Sequence, residues 1–160
     1  MKKNNKGFSL VELIVVVLIM AIIAVALAPQ VMKWVENSRK STDCSNYDTL
    51  YEACGVALTN KDIYAKVYGT SGQAVVLSCS STNRDWKMTS GPFSLSSGDI
   101  FYDNIKAQLG DKWEKNLEAV ASVLDAVAPA GGTSQGTYTI TITTAGTVER
   151  TLAPDDSKIS

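Results

Sequence analysis

The chain has 160 residues, and its net charge of −1, from 15 basic and 16 acidic side chains, argues against nucleic acid as a partner. It has no histidine, which excludes Ser-His-Asp and Cys-His catalysis and removes the commonest metal ligand. Cys44, Cys54 and Cys79 are too few and too scattered for a zinc cluster. The composition therefore predicts a protein that is not an enzyme and that holds no metal or cofactor.

The N-terminal segment is long and apolar enough to cross a membrane. Residues 13–28 are apolar without a break, and together with residues 8–11 they reach the roughly 20 residues that a transmembrane helix needs. Lysines precede the segment, which favours a cytoplasmic N-terminus and a body on the other side. Glu12 is the one charged residue inside it, and an ionisable group in a membrane span is by default functional.

Two ordinary interpretations of this segment leave Glu12 unexplained. Ala26-Leu27-Ala28 has the A-x-A form of a secretory cleavage site, but Pro29 follows it directly, and its rigid ring suits a peptidase poorly. A plain membrane anchor, the second interpretation, has no use for the carboxylate of Glu12.

A third interpretation rests on residues 6–13, KGFSLVEL. With the apolar run and Pro29, they resemble the class III signal of type IV prepilins and their relatives, where Glu lies four positions after the Phe that follows a Gly. The resemblance covers residues 2–35 or so. It implies that a prepilin peptidase cuts after Gly7 and N-methylates Phe8, while the apolar segment stays on the mature protein.

The resemblance also implies a role for Glu12. In the family the charged N-terminus of one subunit, here Phe8, pairs with the glutamate of a neighbouring subunit. Leu10, Leu13 and the apolar residues that follow would form the core of a helical filament of identical subunits. The alternative is that Glu12 lies at the level of the lipid headgroups and is simply hydrated.

The chain is expected to divide into four parts: a leader (1–7), a transmembrane or filament-core helix (8–29), its continuation into the body (30–60) and a globular head (61–160). One helix from Phe8 to about Asn60 is predicted from apolar residues at three- and four-residue steps. Pro29 removes one backbone hydrogen bond and should kink or loosen that helix.

The middle of the body reads as short elements. Residues 73–79 predict a strand, residues 80–99 a loop, and residues 99–109 a helix that stops at Gly110. Asp99 and Asp103 are one turn apart; an acid-rich first turn is favoured over a cation site.

The last third predicts a helix and a hairpin. Asp111 and Glu114 have the spacing of a capping box, and a periodic apolar run predicts a helix that Pro129 ends. Residues 129–136 predict a flexible turn without the Lys-Ser/Thr of a phosphate-binding loop. Residues 137–143 and 147–152 predict paired strands around a turn at 144–146, and the tail 153–160 is expected to be loose.

The cysteines leave two alternatives open. Cys44 and Cys54 are ten residues apart, about 15 Å on a helix, so any disulfide must use Cys79. Cys54 shares a helix face with apolar residues, which favours Cys54–Cys79. Three buried thiols are the alternative.

The predicted fold is α+β: a long N-terminal helix packed on a small, mainly antiparallel sheet with additional helices. The predicted function is a main subunit of a type IV pilus, held in the cytoplasmic membrane as a precursor and then part of an extracellular pilus. The resemblance implies a prepilin peptidase and a pilus assembly platform as partners. A minor pilin, or a pseudopilin of a type II secretion or competence system, is the second interpretation. A secreted or membrane-anchored binding domain is the alternative from another class.

Overall fold

The structure, a computed structural model, describes residues 9–69, 71–121, 124–127 and 133–154. The helices are α1 (Leu10–Ala57), α2 (Lys61–Val67), α3 (Ile100–Leu109) and α4 (Trp113–Asn116). The strands are β1 (Val75–Ser80), β2 (Lys87–Ser90), β3 (Asp125–Val127), β4 (Thr133–Gln135), β5 (Thr137–Ile142) and β6 (Val148–Pro154). This content confirms the predicted α+β class.

The long N-terminal helix is confirmed. Helix α1 continues through Pro29, and the kink or loosening expected at this residue stays a prediction. The chain forms two compact units, Met1–Val35 and Glu36–Ser160, and α1 contributes residues to both. Its buried residues all belong to the second unit: Asp43, Tyr47, Leu50, Ala53, Cys54 and Ala57.

Helix α2 was not predicted as a separate element. Asn60, expected at the end of the long helix, is the N-cap of α2, and its side chain accepts a hydrogen bond from the backbone N–H of Asp62 at 2.9 Å. An asparagine at this position satisfies an amide that the helix itself leaves unpaired, and so it starts a new helix.

The sheet has the strand order β2-β1-β5-β6-β3-β4, and each neighbouring pair is antiparallel. Strands β1 and β5 pair Leu77 with Ile140 and Cys79 with Tyr138, which places these buried side chains on one face. The predicted strands at 73–79, 137–143 and 147–152 are therefore confirmed. Strand β6 extends to Pro154, so the tail expected to be loose begins as a strand; residues 155–160 lie outside the described residues.

The predicted helix at 99–109 is confirmed with both of its ends. One carboxylate oxygen of Asp99 accepts hydrogen bonds from the backbone N–H groups of Phe101 and Tyr102. Asp103 accepts a hydrogen bond from the backbone N–H of Gly98. Gly110 ends the helix at a φ of 90°, a backbone conformation that favours glycine. Both carboxylates thus accept backbone hydrogen bonds at the start of α3, which agrees with the favoured prediction of an acid-rich first turn.

Two short strands contradict the prediction of loops. Residues 80–99 were expected to be a loop but contain β2, which pairs with β1. Residues 129–136 were expected to be a flexible turn, but 133–135 form β4 against β3. Both strands are polar and only three or four residues long, so their sequences lack the hydrophobic pattern that predicts a strand. They form because their backbones pair with strands elsewhere in the chain.

The helix predicted from Asp111 to Ala128 is wrong. Helix α4 has only four residues, and its N-cap is Lys112, at a φ of 58° and without a side-chain capping bond, so the predicted capping box does not form. Residues 118–120 are irregular, and residues 125–127 form β3. The backbone of this segment binds other parts of the chain instead.

The favoured disulfide is not formed. Cys44, Cys54 and Cys79 carry thiols, and both Cys54 and Cys79 are buried in the core of the second unit. The Cys79 thiol donates a hydrogen bond to the carbonyl of Arg84 at 2.8 Å, so its sulfur points toward the loop after β1.

Candidate assembly site

The residues expected to act in processing and assembly lie at the start of α1. Gly7 and Phe8 are outside the described residues. Leu10 and Leu13, in the first turn of α1, have exposed fractions of 75% and 59%. Pro29 lies further along the same helix and is also exposed.

Glu12 caps its own helix. Its Oε2 accepts a hydrogen bond from the backbone N–H of Ser9 at 2.9 Å, while the carbonyl of Ser9 accepts one from the N–H of Leu13 at 3.2 Å. These bonds make Ser9 the N-cap residue and Glu12 the third residue of the helix, the position from which a glutamate reaches back in a capping box. The carboxylate is thereby held beside the positive end of the helix dipole.

The capping role of Glu12 was not predicted, although the sequence contains the pattern that indicates it. Ser9-Leu10-Val11-Glu12 has the S-x-x-E form of a capping box directly before an apolar run. The analogous pattern from Asp111 to Glu114 predicted a box that does not form. The difference is that a long helix follows Glu12, whereas only two helical residues follow Glu114.

The capping bond leaves Glu12 able to bind a cation. An ionised carboxylate offers about four acceptor positions on its two oxygens, and one backbone N–H occupies only one of them. Glu12 lies four positions after Phe8 in the sequence. A positively charged amine is a ligand that suits an exposed carboxylate.

The helix surface next to Glu12 is apolar on all sides. Every large hydrophobic residue between Leu10 and Val35 has an exposed fraction of 45% or more. An all-round apolar helix is stable only when an apolar medium or other helices cover it. Among the described residues, α1 is the one helix that is long and apolar enough to span a membrane.

The second unit has a buried polar cluster around Asp43, which we call the Asp43 cluster. It consists of Asp43, Arg84, Tyr138 and the backbone of residues 119–121. Asp43 is 2% exposed, and its Oδ1 accepts a hydrogen bond from the backbone N–H of Val120 at 2.7 Å. Its Oδ2 accepts bonds from the N–H of Ala121 at 3.3 Å and from the Tyr138 hydroxyl at 3.1 Å.

Arg84 completes this cluster from the loop between β1 and β2. Its guanidinium donates hydrogen bonds to the carbonyls of Ala119, at 3.1 Å, and Ala121. The N–H of Ala119 in turn donates to the carbonyl of Arg84 at 3.1 Å. Residues 119–121 therefore bond to α1 and to the β1–β2 loop, which is why they do not continue the helix that their apolar spacing predicts.

The ionisation of the Asp43 cluster reflects its burial. Burial raises the pKa of Asp43 above its usual value, while the bonds from Val120, Tyr138 and Ala121 and the charge of Arg84 lower it in part. Burial, with the charge of Asp43, also raises the pKa of Tyr138, which keeps its hydroxyl protonated as a donor. The cluster holds the backbone of residues 119–121 in place. It was not predicted, because Asp43 lies in a polar stretch of the chain.

The N-terminal residues match a known family. Residues 2–28 match the family model for the prokaryotic N-terminal methylation motif. This motif marks class III signal prepilins, and its presence is consistent with the type IV pilin family. No curated protein and no solved structure shows significant similarity to it.

The motif supports a type IV pilin-like precursor. It indicates a structural subunit, consistent with the type IV pilin family, and it implies processing by a prepilin peptidase and assembly into a pilus. The motif and the long apolar helix together support a membrane-anchored precursor.

Proposed function

We propose that this prepilin is the main structural subunit of a type IV pilus. In this proposal, the peptidase cuts after Gly7 and N-methylates Phe8, and an assembly platform polymerises the mature subunits through α1 into an extracellular filament. Leu10, Leu13 and the apolar residues up to Pro29 form the filament core. Phe8 and Glu12 set the position of one subunit against the next.

One observation carries the proposal: a capped carboxylate lies at the start of α1, where all large hydrophobic side chains from Leu10 to Val35 are exposed. Apolar surface of this extent is rare on a soluble monomer and marks a site of contact with lipid or protein. Glu12 adds a single charge to that surface, and the Ser9 N–H holds it in place. A bundle of such helices would cover the apolar side chains and leave the carboxylate as the one group that needs a specific partner.

Cleavage would supply that partner. Before cleavage the nitrogen of Phe8 belongs to a neutral amide; afterwards it is an amine, which is positively charged near neutral pH because a terminal amine has a pKa of about 8. Inside a bundle that excludes water, an unpaired carboxylate is costly, and a staggered neighbouring amine offsets that cost. The same arrangement disfavours uncleaved precursors, which have no charge to offer to Glu12.

The first experiment is to measure the mass of the N-terminal peptide of the mature protein from its native host. A peptide that starts at Phe8 with one added methyl group supports the proposal. A peptide that starts at Pro29 contradicts it, because α1 would then have lost its apolar half and Glu12. That result would favour a secreted binding domain.

A second experiment separates the main subunit from the other members of the family. Filaments sheared from the cell surface would contain this chain as their most abundant component if it is the main pilin. A processed chain that is scarce in such filaments would be a minor pilin or a pseudopilin of a type II secretion or competence system.

A further inference from the structure

The charges on the first unit have a spacing that matches a lipid bilayer. Among the described residues up to Val35, only Glu12 and Lys33 carry a charge, and they lie 21 positions apart. In a helix this corresponds to about 32 Å along the axis. The hydrocarbon core of a typical bilayer is about 30 Å thick. Both charges can therefore reach water or headgroups while every residue between them lies in hydrocarbon.

The residue after Lys33 also suits the boundary between the hydrocarbon core and the headgroups. Trp34 follows it directly, and its side chain has an exposed fraction of 67%. Tryptophan is enriched where the hydrocarbon meets the headgroups, because its ring is apolar and its indole N–H is a hydrogen-bond donor. A lysine at this level can extend its amine to anionic headgroups while its stem stays in apolar surroundings.

We infer that Lys33 and Trp34 anchor the unassembled subunit in the headgroup layer on the outer side of the membrane, with Glu12 at the opposite boundary. The hydrocarbon-spanning segment is then residues 13–32 rather than a segment that ends at Pro29, and Pro29 lies within the outer leaflet. The anchor concerns the membrane-bound precursor and does not depend on which filament the chain forms.

The depth of Trp34 in a bilayer tests this inference. The full chain is reconstituted into vesicles of phosphatidylcholine and phosphatidylglycerol that contain lipids with fluorescence quenchers at known depths. Trp86 and Trp113 are buried in the second unit, so the difference between the native chain and Trp34→Phe isolates the emission of Trp34. Trp34 is expected between about 15 and 22 Å from the bilayer centre, where the headgroup layer lies.

A matched variant calibrates the measurement. Leu27 lies seven positions before Trp34, two helical turns earlier and on nearly the same side of α1. The double variant Trp34→Phe, Leu27→Trp therefore moves the indole about 10 Å toward the bilayer centre without turning it to another face. Quenchers near the ends of the acyl chains should act most strongly on this variant, and quenchers near the headgroups should act most strongly on the native chain.

Three results would overturn the inference. Trp34 at the same depth as the Leu27→Trp indole would place it in hydrocarbon. A Trp34 that no lipid-borne quencher reaches would place it in water. A chain that does not float with the vesicles would also contradict membrane anchoring. The depth measurement does not require pilus assembly. A failure of the proposed pilus function would appear separately, as an absence of sheared filaments.

Discussion

The two compact units differ in whether their apolar side chains are buried. In the first unit, all described residues from 9 to 35 are exposed. In the second, a continuous core includes Leu50, Trp113 and Ile140, each with an exposed fraction of 0%. A single helix contributes to both units, so the contrast follows from the pattern of residues along α1. Its first half is apolar all round, whereas its second half is apolar on one side only.

This contrast separates assembly from folding. Burying one large aliphatic side chain is worth about 1.5–3 kcal/mol, and in the first unit that free energy is available only from lipid or from other subunits. In the second unit the same free energy already stabilises the fold. Substitutions in the first unit should therefore change where the chain goes and what it binds, while substitutions in the second should change the free energy of unfolding.

The largest expected effect is on assembly, at Glu12. Glu12→Ala removes both the capping bond to Ser9 and the charge, whereas Glu12→Gln keeps an oxygen that can accept the Ser9 N–H and loses only the charge. If the charge pairs with Phe8 of a neighbour, both variants should yield no sheared filaments. Their second units should unfold at the native temperature in detergent.

The pair of variants also distinguishes the two roles of Glu12. Filaments from Glu12→Gln but not from Glu12→Ala would show that capping, and not the charge, supports assembly. Far-ultraviolet circular dichroism of peptides covering residues 8–30 in micelles measures the cap directly. The alanine peptide should be less helical than the glutamine peptide, by about 1 kcal/mol of helix stability.

The next effect is on folding, at Asp43. Asp43→Ala leaves the N–H groups of Val120 and Ala121 and the hydroxyl of Tyr138 without their acceptor in a buried site. Each buried unsatisfied group costs about 1–3 kcal/mol, so we expect a loss of about 3 kcal/mol or more in the free energy of unfolding. Thermal unfolding of the full chain in detergent, followed by near-ultraviolet circular dichroism, measures this loss.

Asp48 provides the matched control on the same helix. Its carboxylate pairs with Arg150 at 2.6 Å, but both side chains are about half exposed. An exposed ion pair is worth less than about 1 kcal/mol, so Asp48→Ala should change stability little. Equal losses in the two variants would contradict the view that the Asp43 cluster clamps residues 119–121.

The same cluster shows why sequence analysis succeeded at some elements and failed at others. The hairpin of β5 and β6 follows from alternating residues and a local turn, which are visible in the sequence. The segment from Trp113 to Leu124 has apolar residues at helical spacing, but its backbone is bound by Asp43 and Arg84, which are distant in the chain. Periodicity reports which side chains are buried; it does not report which groups satisfy the backbone.

The same difference between local and distant contacts separates Glu12 from Asp43. The motif predicts that Glu12 acts in assembly, and that role stays a prediction. The capping bond between Glu12 and Ser9 is local and was predictable from four residues. Asp43 was not predicted, because a single carboxylate in the polar stretch 36–43 gives no sign that it is buried. Its environment is made by Val120, Ala121 and Tyr138, more than 70 positions away.

A smaller effect on folding is expected at the turn between β5 and β6. Gly146 has a φ of 77°, and a Cβ added there would lie 2.7 Å from the Tyr64 ring. Gly98 has a φ of 96° with open space around it. Gly98→Ala should cost about 1–2 kcal/mol from backbone strain alone, and Gly146→Ala should cost more because Tyr64 must also move. Equal unfolding temperatures for the two variants would show that the Tyr64 side chain moves aside at no cost in stability.

The smallest effect concerns the thiols, where we expect no change in stability at all. Because the structure contains no disulfide among Cys44, Cys54 and Cys79, a reductant should leave the unfolding temperature unchanged. Burial raises the pKa of Cys54 to about 12 and that of Cys79 to about 11, so both thiols stay protonated and out of reach of reagents in the folded chain.

Alkylation followed by mass spectrometry tests whether the three cysteines are free thiols and which of them are accessible. Iodoacetamide at pH 8 should modify the native chain only at Cys44, the partly exposed cysteine, and should modify all three cysteines once the chain is unfolded. Two unreactive cysteines after unfolding, with a mass lower by two hydrogens, would establish a disulfide. The core would then be cross-linked, and the second unit would owe part of its stability to oxidation outside the membrane as well as to packing.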